Sequence, residues 1–385
     1  MSRCSAILKN IVLVISGSPA HIGSPGPRGN RQNGPTERES AIGDLYRIPL
    51  ADIRSGSPAD LLDIYGAQAR ELARASMDMF GPVAPAARTV ALPIADRISR
   101  AWLARTQNPY LGEIDAIAAQ LGIAGVYALN VVFEWSCTSG VFETENGVTL
   151  RRVLDWGFPR LGENLVVAQQ TGAAGDFHNI TWPGIAGIYQ AVACGRFAAA
   201  INQAPMRRHG LGLASDWFRN RLAVHKAGGM PPAFLLRQVF ETARDYASAK
   251  EMLCRSPVAV PVIYTLAGTR VQEGCVIERV ENDFALREMT GDRVCAANHF
   301  LSHLNGYGSG WLPRSHDSGE RARSVEALSM RDIETEFAWF APPIANPKSR
   351  LALNANAAIG EFSLIGTAGV RPVTEIFRLA TERAI

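Results

Sequence analysis

No two cysteines in this 385-residue chain form a C-x-x-C pair. The six present, Cys4, Cys137, Cys194, Cys254, Cys275 and Cys295, stand alone. At this length and density that argues against a disulfide framework and against a structural zinc site. No stretch approaches the ~20 apolar residues that a membrane-spanning helix needs. An excess of one charge is missing too: 39 basic residues face 36 acidic ones, for a formal net charge of +3. Proteins that bind nucleic acid by neutralising phosphates need a clear basic excess, and the chain has no RNP, helix-turn-helix or zinc-finger spacing. Nucleic acid is therefore not an expected partner. Histidines number seven, and none pairs in sequence with a cysteine in the manner of a Cys–His couple. Internal repeats are absent.

The composition is 47% hydrophobic and 19% charged, enough to build a large core. Arg3 and Lys9 precede "NIVLVISGSPA", a weak match to a signal peptide. The Gly- and Pro-rich stretch that follows reads as a disordered lead-in over residues 1–40. A cytoplasmic setting is favoured, with secreted, periplasmic and lysosomal-like settings left open. From Ser57 the pattern turns helical. Ser57 suits an N-cap, Pro58 the first helical position and Asp60 the acid of a capping box. Residues 41–136 read as mostly helical, with a kink or split expected at Pro93.

The character changes at "WSCTSG", residues 135–140. β-prone runs separated by Gly, Asn and Pro then dominate, broken by one long helix expected over 232–254 and another near 317–333. The expected class is α+β with antiparallel sheets. Asn146-Gly147 predicts a two-residue hairpin turn, which would set Thr138 opposite Asp155. A thiol, Cys137, a guanidinium, Arg152, and a carboxylate, Asp155, then converge at one hairpin end. Residues 152 and 155 differ in parity, so a regular strand points them to opposite faces. Both reach the cysteine only if the strand bulges or ends near Trp156-Gly157. The plain alternative is a small core cysteine beside an ordinary Arg–Asp pair. Asn202-Gln203 and Asn298-His299 close two further strands, where amide side chains suit either a turn or an oxyanion.

Taken together, these segments resemble the acid ceramidase and N-acylethanolamine acid amidase group of the choloylglycine hydrolase-like N-terminal-nucleophile (Ntn) hydrolases. The likeness runs over about residues 100–325. "GEIDAIAAQLGIAGVYALNVVFEWSCTS" resembles the helix pair leading into the family's Cys-Thr-Ser nucleophile. "LRRVLDWGF" resembles its Arg-x-x-Asp strand, "GIYQAVACGRFAAAINQ" the strand pair ending in Asn-Glu, and "AANHF" the Thr-Asn-Tyr/His segment.

The resemblance implies a four-layer αββα sandwich with two stacked antiparallel sheets. It makes Cys137 the nucleophile, Arg152 and Asp155 its flanking pair and Asn298 the oxyanion-side asparagine. Asn202 takes a second site position, and Arg321 is the late arginine, with Arg323 as the register alternative. Gln203 stands where the family has Glu, and Ala297 where it has Thr.

An internal cysteine serves in this way only if the Ser136–Cys137 bond is broken, leaving fragments 1–136 and 137–385 associated in one globular unit. The implied partner is a small-molecule N-acyl amide of fatty-acyl or ceramide type, with lipid-surface contact left open and no cofactor implied. An acyltransferase of the penicillin-acylating type, and a non-catalytic relative that binds an acyl ligand, remain as alternatives.

The remaining features have plainer readings. His299 and His303 have i, i+4 spacing beside Cys295, but a third metal ligand is missing. Cys194, Cys254, Cys275 and Cys295 sit in apolar runs and read as core. Trp182, Tyr189 and Phe197 read as core aromatics, with an acyl-pocket lining as the alternative. "GYGSGW" over 306–311 reads as a loop, and Asn179 opens a glycosylation sequon.

Overall fold

The computed structural model describes residues 45–76, 85–132, 135–210, 212–302, 310–313, 315 and 317–379. The 1–40 lead-in, His303 and most of the 306–311 loop lie outside the described residues. After strand β1 (Leu50–Asp52), Ser57 and Asp60 form the full capping box expected of them, on a single 3-10 turn, Pro58–Leu61. Helices α1 (Leu62–Ala75), α2 (Pro85–Arg105), α3 (Leu111–Leu121) and α4 (Val126–Asn130) follow. Pro93 lies within α2, which is not split there. α3 stops at Gly122, whose positive φ of 64° suits a residue without a Cβ.

Strands β2 (Trp135–Thr144), β3 (Gly147–Trp156), β4 (Val166–Gly172), β5 (Gly175–Thr181), β6 (Gln190–Ala193), β7 (Phe197–Gln203) and β8 (Met206–Arg207) come next. The helix α5 (Leu213–Lys226) was not expected from the pattern. The long helix expected over 232–254 is two: α6 (Pro232–Thr242) and α7 (Tyr246–Arg255). The first ends with Ala243 in an extended conformation, and Asp245 caps the second, with Ser248 completing the box. Then come β9 (Val262–Ala267), β10 (Gly274–Val280), β11 (Asp283–Glu288), β12 (Arg293–Ala296) and β13 (Trp311–Leu312). The chain closes with α8 (Ser318–Glu326), α9 (Met330–Glu334), β14 (Ser349–Asn356), β15 (Glu361–Ala368), β16 (Arg371–Pro372) and β17 (Phe377–Leu379).

Two sheets form. One has eight strands in the order β1-β4-β5-β6-β7-β9-β10-β11, antiparallel except for the parallel β1–β4 pair. The other has seven, β12-β2-β3-β14-β15-β16, with β17 beside β15. They stack face to face over one apolar core. Cys137, Val141, Leu150, Leu154, Leu351 and Leu353 from the second sheet share it with Ala199, Ile201 and Leu266 from the first. Helices α6 and α7 cover the outside of the eight-stranded sheet. Val325, Ile333, Trp339 and Ile344 cover the outside of the other through Phe142, Val153, Ala352 and Ile365. The result is helix, sheet, sheet, helix, each element burying its apolar side against the next layer. Helices α1, α3 and α4 bury Ala69, Ile114, Ile117 and Val126 against Ala186 and Phe234. The described residues between 45 and 136 therefore pack on the rest of the chain.

Candidate active site

The site is set by the register of β2 on β3. The turn residues are Glu145 and Asn146, and Thr144 pairs with Gly147, whose positive φ of 97° opens β3. The expected Asn146-Gly147 turn is thus displaced, and Asp155 lies opposite Ser136 and not Thr138. Cys137 faces Leu154, and Ser139 faces Arg152. The strand stays regular to Trp156, without the bulge that sequence parity called for; the irregularity lies in β14, between Ser349 and Leu351. Strand alternation then decides the rest. Trp135, Cys137, Arg152 and Leu154 point between the sheets. Ser136, Thr138 and Asp155 point towards the layer of α8.

On the inner face Arg152 reaches the thiol. Its Nη1 lies 3.5 Å from Cys137 Sγ and donates to the Ile201 carbonyl at 2.9 Å, while Nε donates to Gln190 Oε1 at 2.9 Å. The thiol itself points at the Ile201 carbonyl, 3.6 Å away. Arg152 is wholly buried and makes no ion pair among the described residues; its Nη2 has no partner there. Burial pushes its pKa down. The Cys137 thiol is pushed up to about 11, first by burial. The positive charge of Arg152 pulls against that shift, Asp155 adds to it, and Arg321 and a backbone hydrogen bond to Gln203 oppose it. In this uncleaved chain the sulfur is therefore a neutral thiol near pH 7.

On the outer face Arg321 ties the parts together. Its Nη1 donates to the Cys137 carbonyl and to Thr138 Oγ1 (2.7 Å), Nη2 to Asn298 Oδ1 (2.9 Å) and Nε to Asp317 (3.2 Å). Asp155 lies 3.7 Å from it, both side chains being fully buried. Arg323, the register alternative, is exposed. Asp155 also accepts from Ser349 Oγ (2.7 Å) and Ser136 Oγ (3.4 Å). Its pKa is raised by burial, against the opposing charge of Arg321 and the Ser349 hydrogen bond.

The two asparagines differ from expectation. Asn298 Oδ1 accepts the Cys137 backbone N–H at 2.8 Å, and its Nδ2 donates to the Gln203 carbonyl at 2.9 Å. A flipped amide would set NH2 against two N–H donors, so this orientation is the consistent one. In the uncleaved chain Asn298 is thus an acceptor at the nitrogen of the Ser136–Cys137 bond, not a free oxyanion donor. Asn202 Nδ2 lies 2.9 Å from Ser139 Oγ and within 3.3 Å of the Ala296 and Ala297 carbonyls; Oδ1 has no partner among the described residues. The Gln203 side chain accepts the Trp135 N–H at 3.0 Å, fixing the segment just ahead of that bond.

Sequence reasoning missed Gln190, which orients Arg152, and Ser318 and Ser349, which hold Asn298 and Asp155. A glutamine inside an apolar strand was the one signal that could have found the first. One other reading is corrected, and one is narrowed. Cys194 is exposed, because it stands at the β6–β7 turn beside Gly195, whose φ is 74°. Asn179 is buried in β5, its Nδ2 on Gln170 Oε1 at 3.0 Å, so the folded chain does not present it for glycosylation. Trp182, Tyr189 and Phe197 are all in the core.

No family model matches the chain. It is 26% identical over 203 residues to an acid ceramidase of Heterocephalus glaber, covering 47% of this chain and 50% of that one. It is 27% identical over 179 residues to an N-acylethanolamine-hydrolyzing acid amidase of Cavia porcellus, covering 45% of this chain and 48% of that one. The chain thus spans about half the length of the curated relatives it matches. Among solved structures, the Caenorhabditis elegans ortholog of that amidase aligns with 16% identity and a TM-score of 0.46, over 58% of this chain and 93% of that one.

Proposed function

We propose that this relative of the acid ceramidase and N-acylethanolamine acid amidase group, within the choloylglycine hydrolase-like Ntn hydrolases, is a self-cleaving cysteine amidase acting on linear N-acyl amides. The observation that carries the reading is the set of partners around one residue. Cys137 has a guanidinium on its sulfur, an amide oxygen on its backbone nitrogen and a second guanidinium on its carbonyl.

Maturation begins with attack of Cys137 Sγ on the Ser136 carbonyl. The C–S bond forms, the C–N bond breaks, and the thiol proton goes to the departing nitrogen. Water then opens the thioester, leaving a Ser136 carboxylate, the free thiol and a new α-amine on Cys137. An α-amine has a reference pKa near 7.7–8.0 and a thiol near 8.5, so the amine can take the proton of its own thiol. Asn298 Oδ1 is already in place to hold that amine. Asp155, across from Ser136, supplies the negative charge that favours its ammonium form. The thiolate attacks the substrate carbonyl, the amine leaves with the proton, and water releases the acid. Asn298, with Asn202 beside it, is the side chain for the oxyanion once its Nδ2 leaves the Gln203 carbonyl, a role whose removal typically costs about 3–4 kcal/mol. Arg152, without a carboxylate partner in the described structure, favours the thiolate.

Intact mass and a denaturing gel test the reading. Fragments meeting at Ser136/Cys137, and acylation of the new N-terminal cysteine by an amide substrate, are the expected result. A persistent single chain that no cysteine-directed acyl probe labels would exclude it.

A further inference from the structure

Glu278 is the one acid in the β10 run "GCVIERV", and its carboxylate is wholly buried. A carboxylate so placed is costly unless charge and hydrogen bonds compensate it. Strand register supplies the charge. Val276 pairs with Arg287 of β11 and Glu278 pairs with Ala285, so Glu278 and Arg287 are diagonal neighbours on one face. Arg287 Nε lies 3.2 Å from Glu278 Oε1. The other donors come from further along the chain. Oε1 accepts the Leu301 N–H at 2.9 Å, and Oε2 accepts the Ser302 N–H at 3.1 Å and the Ser302 hydroxyl. Arg287 in turn donates through Nη2 to the Cys295 carbonyl at 2.8 Å.

This ion pair therefore grips the chain at Cys295 and again at Leu301 and Ser302. Asn298 stands midway, three residues from Cys295 and three from Leu301. β12 ends at Ala296, and residues 297–302, all described, belong to no strand or helix. Sheet hydrogen bonds thus do not set the position of Asn298. Its own N–H is held by Ser318 Oγ at 2.8 Å, while its side chain meets the Cys137 N–H and the Gln203 carbonyl. Resting on the amidase reading above, we propose that Glu278 is a positioning residue. Through Arg287 and the N–H groups of Leu301 and Ser302 it fixes the reach of the segment that carries Asn298, and with it the placement of that amide at the reacting carbonyl. A displacement of about 1 Å at such a group can cost about 10²-fold in rate.

The test uses the full chain after self-cleavage, with the reactive cysteine titrated by a cysteine-directed acyl probe so that turnover is expressed per titrated site. Aminocoumarin amides of acetic, octanoic and hexadecanoic acid serve as substrates, and the fastest is carried through the variants. Glu278→Gln keeps the shape and removes the charge. Its kcat per titrated site should fall by about 10–100-fold, with KM within about twofold of the parent. Glu278→Asp, which keeps the charge, should recover part of that loss. Ser302→Ala removes one donor and leaves the carboxylate paired. It should lower kcat per site by about three- to tenfold, the scale of one hydrogen bond, and it decides the matter if Glu278→Gln does not fold. A merely structural role would reduce the number of titrated cysteines and leave kcat per site unchanged. That result, beside a parent that turns over an amide, would overturn the positioning role and leave the amidase reading standing. A parent that turns over none of the three amides would overturn both.

Discussion

Arg152 and Arg321 are both fully buried, both flank Cys137, and lie on opposite faces of one strand. Arg321 is neutralised. Two aspartates, Asp155 and Asp317, lie within 4 Å, and its hydrogen bonds go to the Asp317 carboxylate, a carbonyl, a hydroxyl and an amide oxygen. Arg152 has only neutral oxygens, Gln190 Oε1 and the Ile201 carbonyl, and the sulfur. A buried cation is costly unless something compensates it. Arg321 has that compensation inside the framework. Arg152 does not, until the thiol ionises. One arginine holds the hairpin to its covering helix; the other is a buried charge with no ion-pair partner among the described residues, set against a sulfur.

The largest effect should come from the sulfur itself. Cys137→Ala should leave the chain uncleaved on a gel and abolish turnover, because both steps pass through that atom. Arg152→Met should lower kcat/KM by about 10²–10³-fold, comparable to losing one electrostatic donor. Its unfolding free energy should stay within about 1 kcal/mol of the parent, since a buried charge with no ion-pair partner is replaced by an apolar chain of similar length. Arg321→Met should do the reverse in the unfolding measurement. It leaves Asp155 buried beside no cation, and a loss of about 3–5 kcal/mol in chemical denaturation is expected. The double variant with Asp155→Asn should recover part of that loss. If Arg152→Met destabilises as much as Arg321→Met, the contrast between the two arginines fails.

A smaller effect is expected from pH. His299 shares Ser318 with Asn298, on the Arg321 side, and burial pushes its pKa below 6.5. The unfolded chain then takes up a proton near pH 6.5 that the folded chain refuses. Stability should be full above pH 6.5 and fall as pH drops below it, and His299→Gln should flatten that slope in denaturation curves. An unchanged slope would remove His299 from the account.

Much of this site was legible in the sequence, and the failures have local causes. The parity of 152 and 155 already put the two residues on opposite faces. What the pattern could not supply was that opposite faces suffice: the inner face carries the thiol and the outer face carries the surroundings of the Cys137 backbone, so no bulge is needed. The hairpin register slipped because Asn-Gly is the common two-residue turn, whereas here Gly147 uses its positive φ to begin the strand. The break between α6 and α7 was written in Asp245 and Ser248, a capping pair hidden inside a continuous apolar pattern. Asn298 follows the end of β12 by two residues, and its role depends on which end of its amide meets Cys137, a tertiary fact that strand-end chemistry does not contain. Gln190 and Ser349 act only through contacts 38 and 194 residues away in sequence.

The central claim is that Cys137 is the first residue of a mature fragment. Intact mass of the purified chain, with N-terminal sequencing of the smaller species it resolves into, tests that claim most directly. Two fragments that co-purify are expected, one ending at Ser136 and one beginning with Cys137, and a single uncleaved species for Cys137→Ala. A parent chain that stays at 41.6 kDa under conditions where it is folded would contradict it.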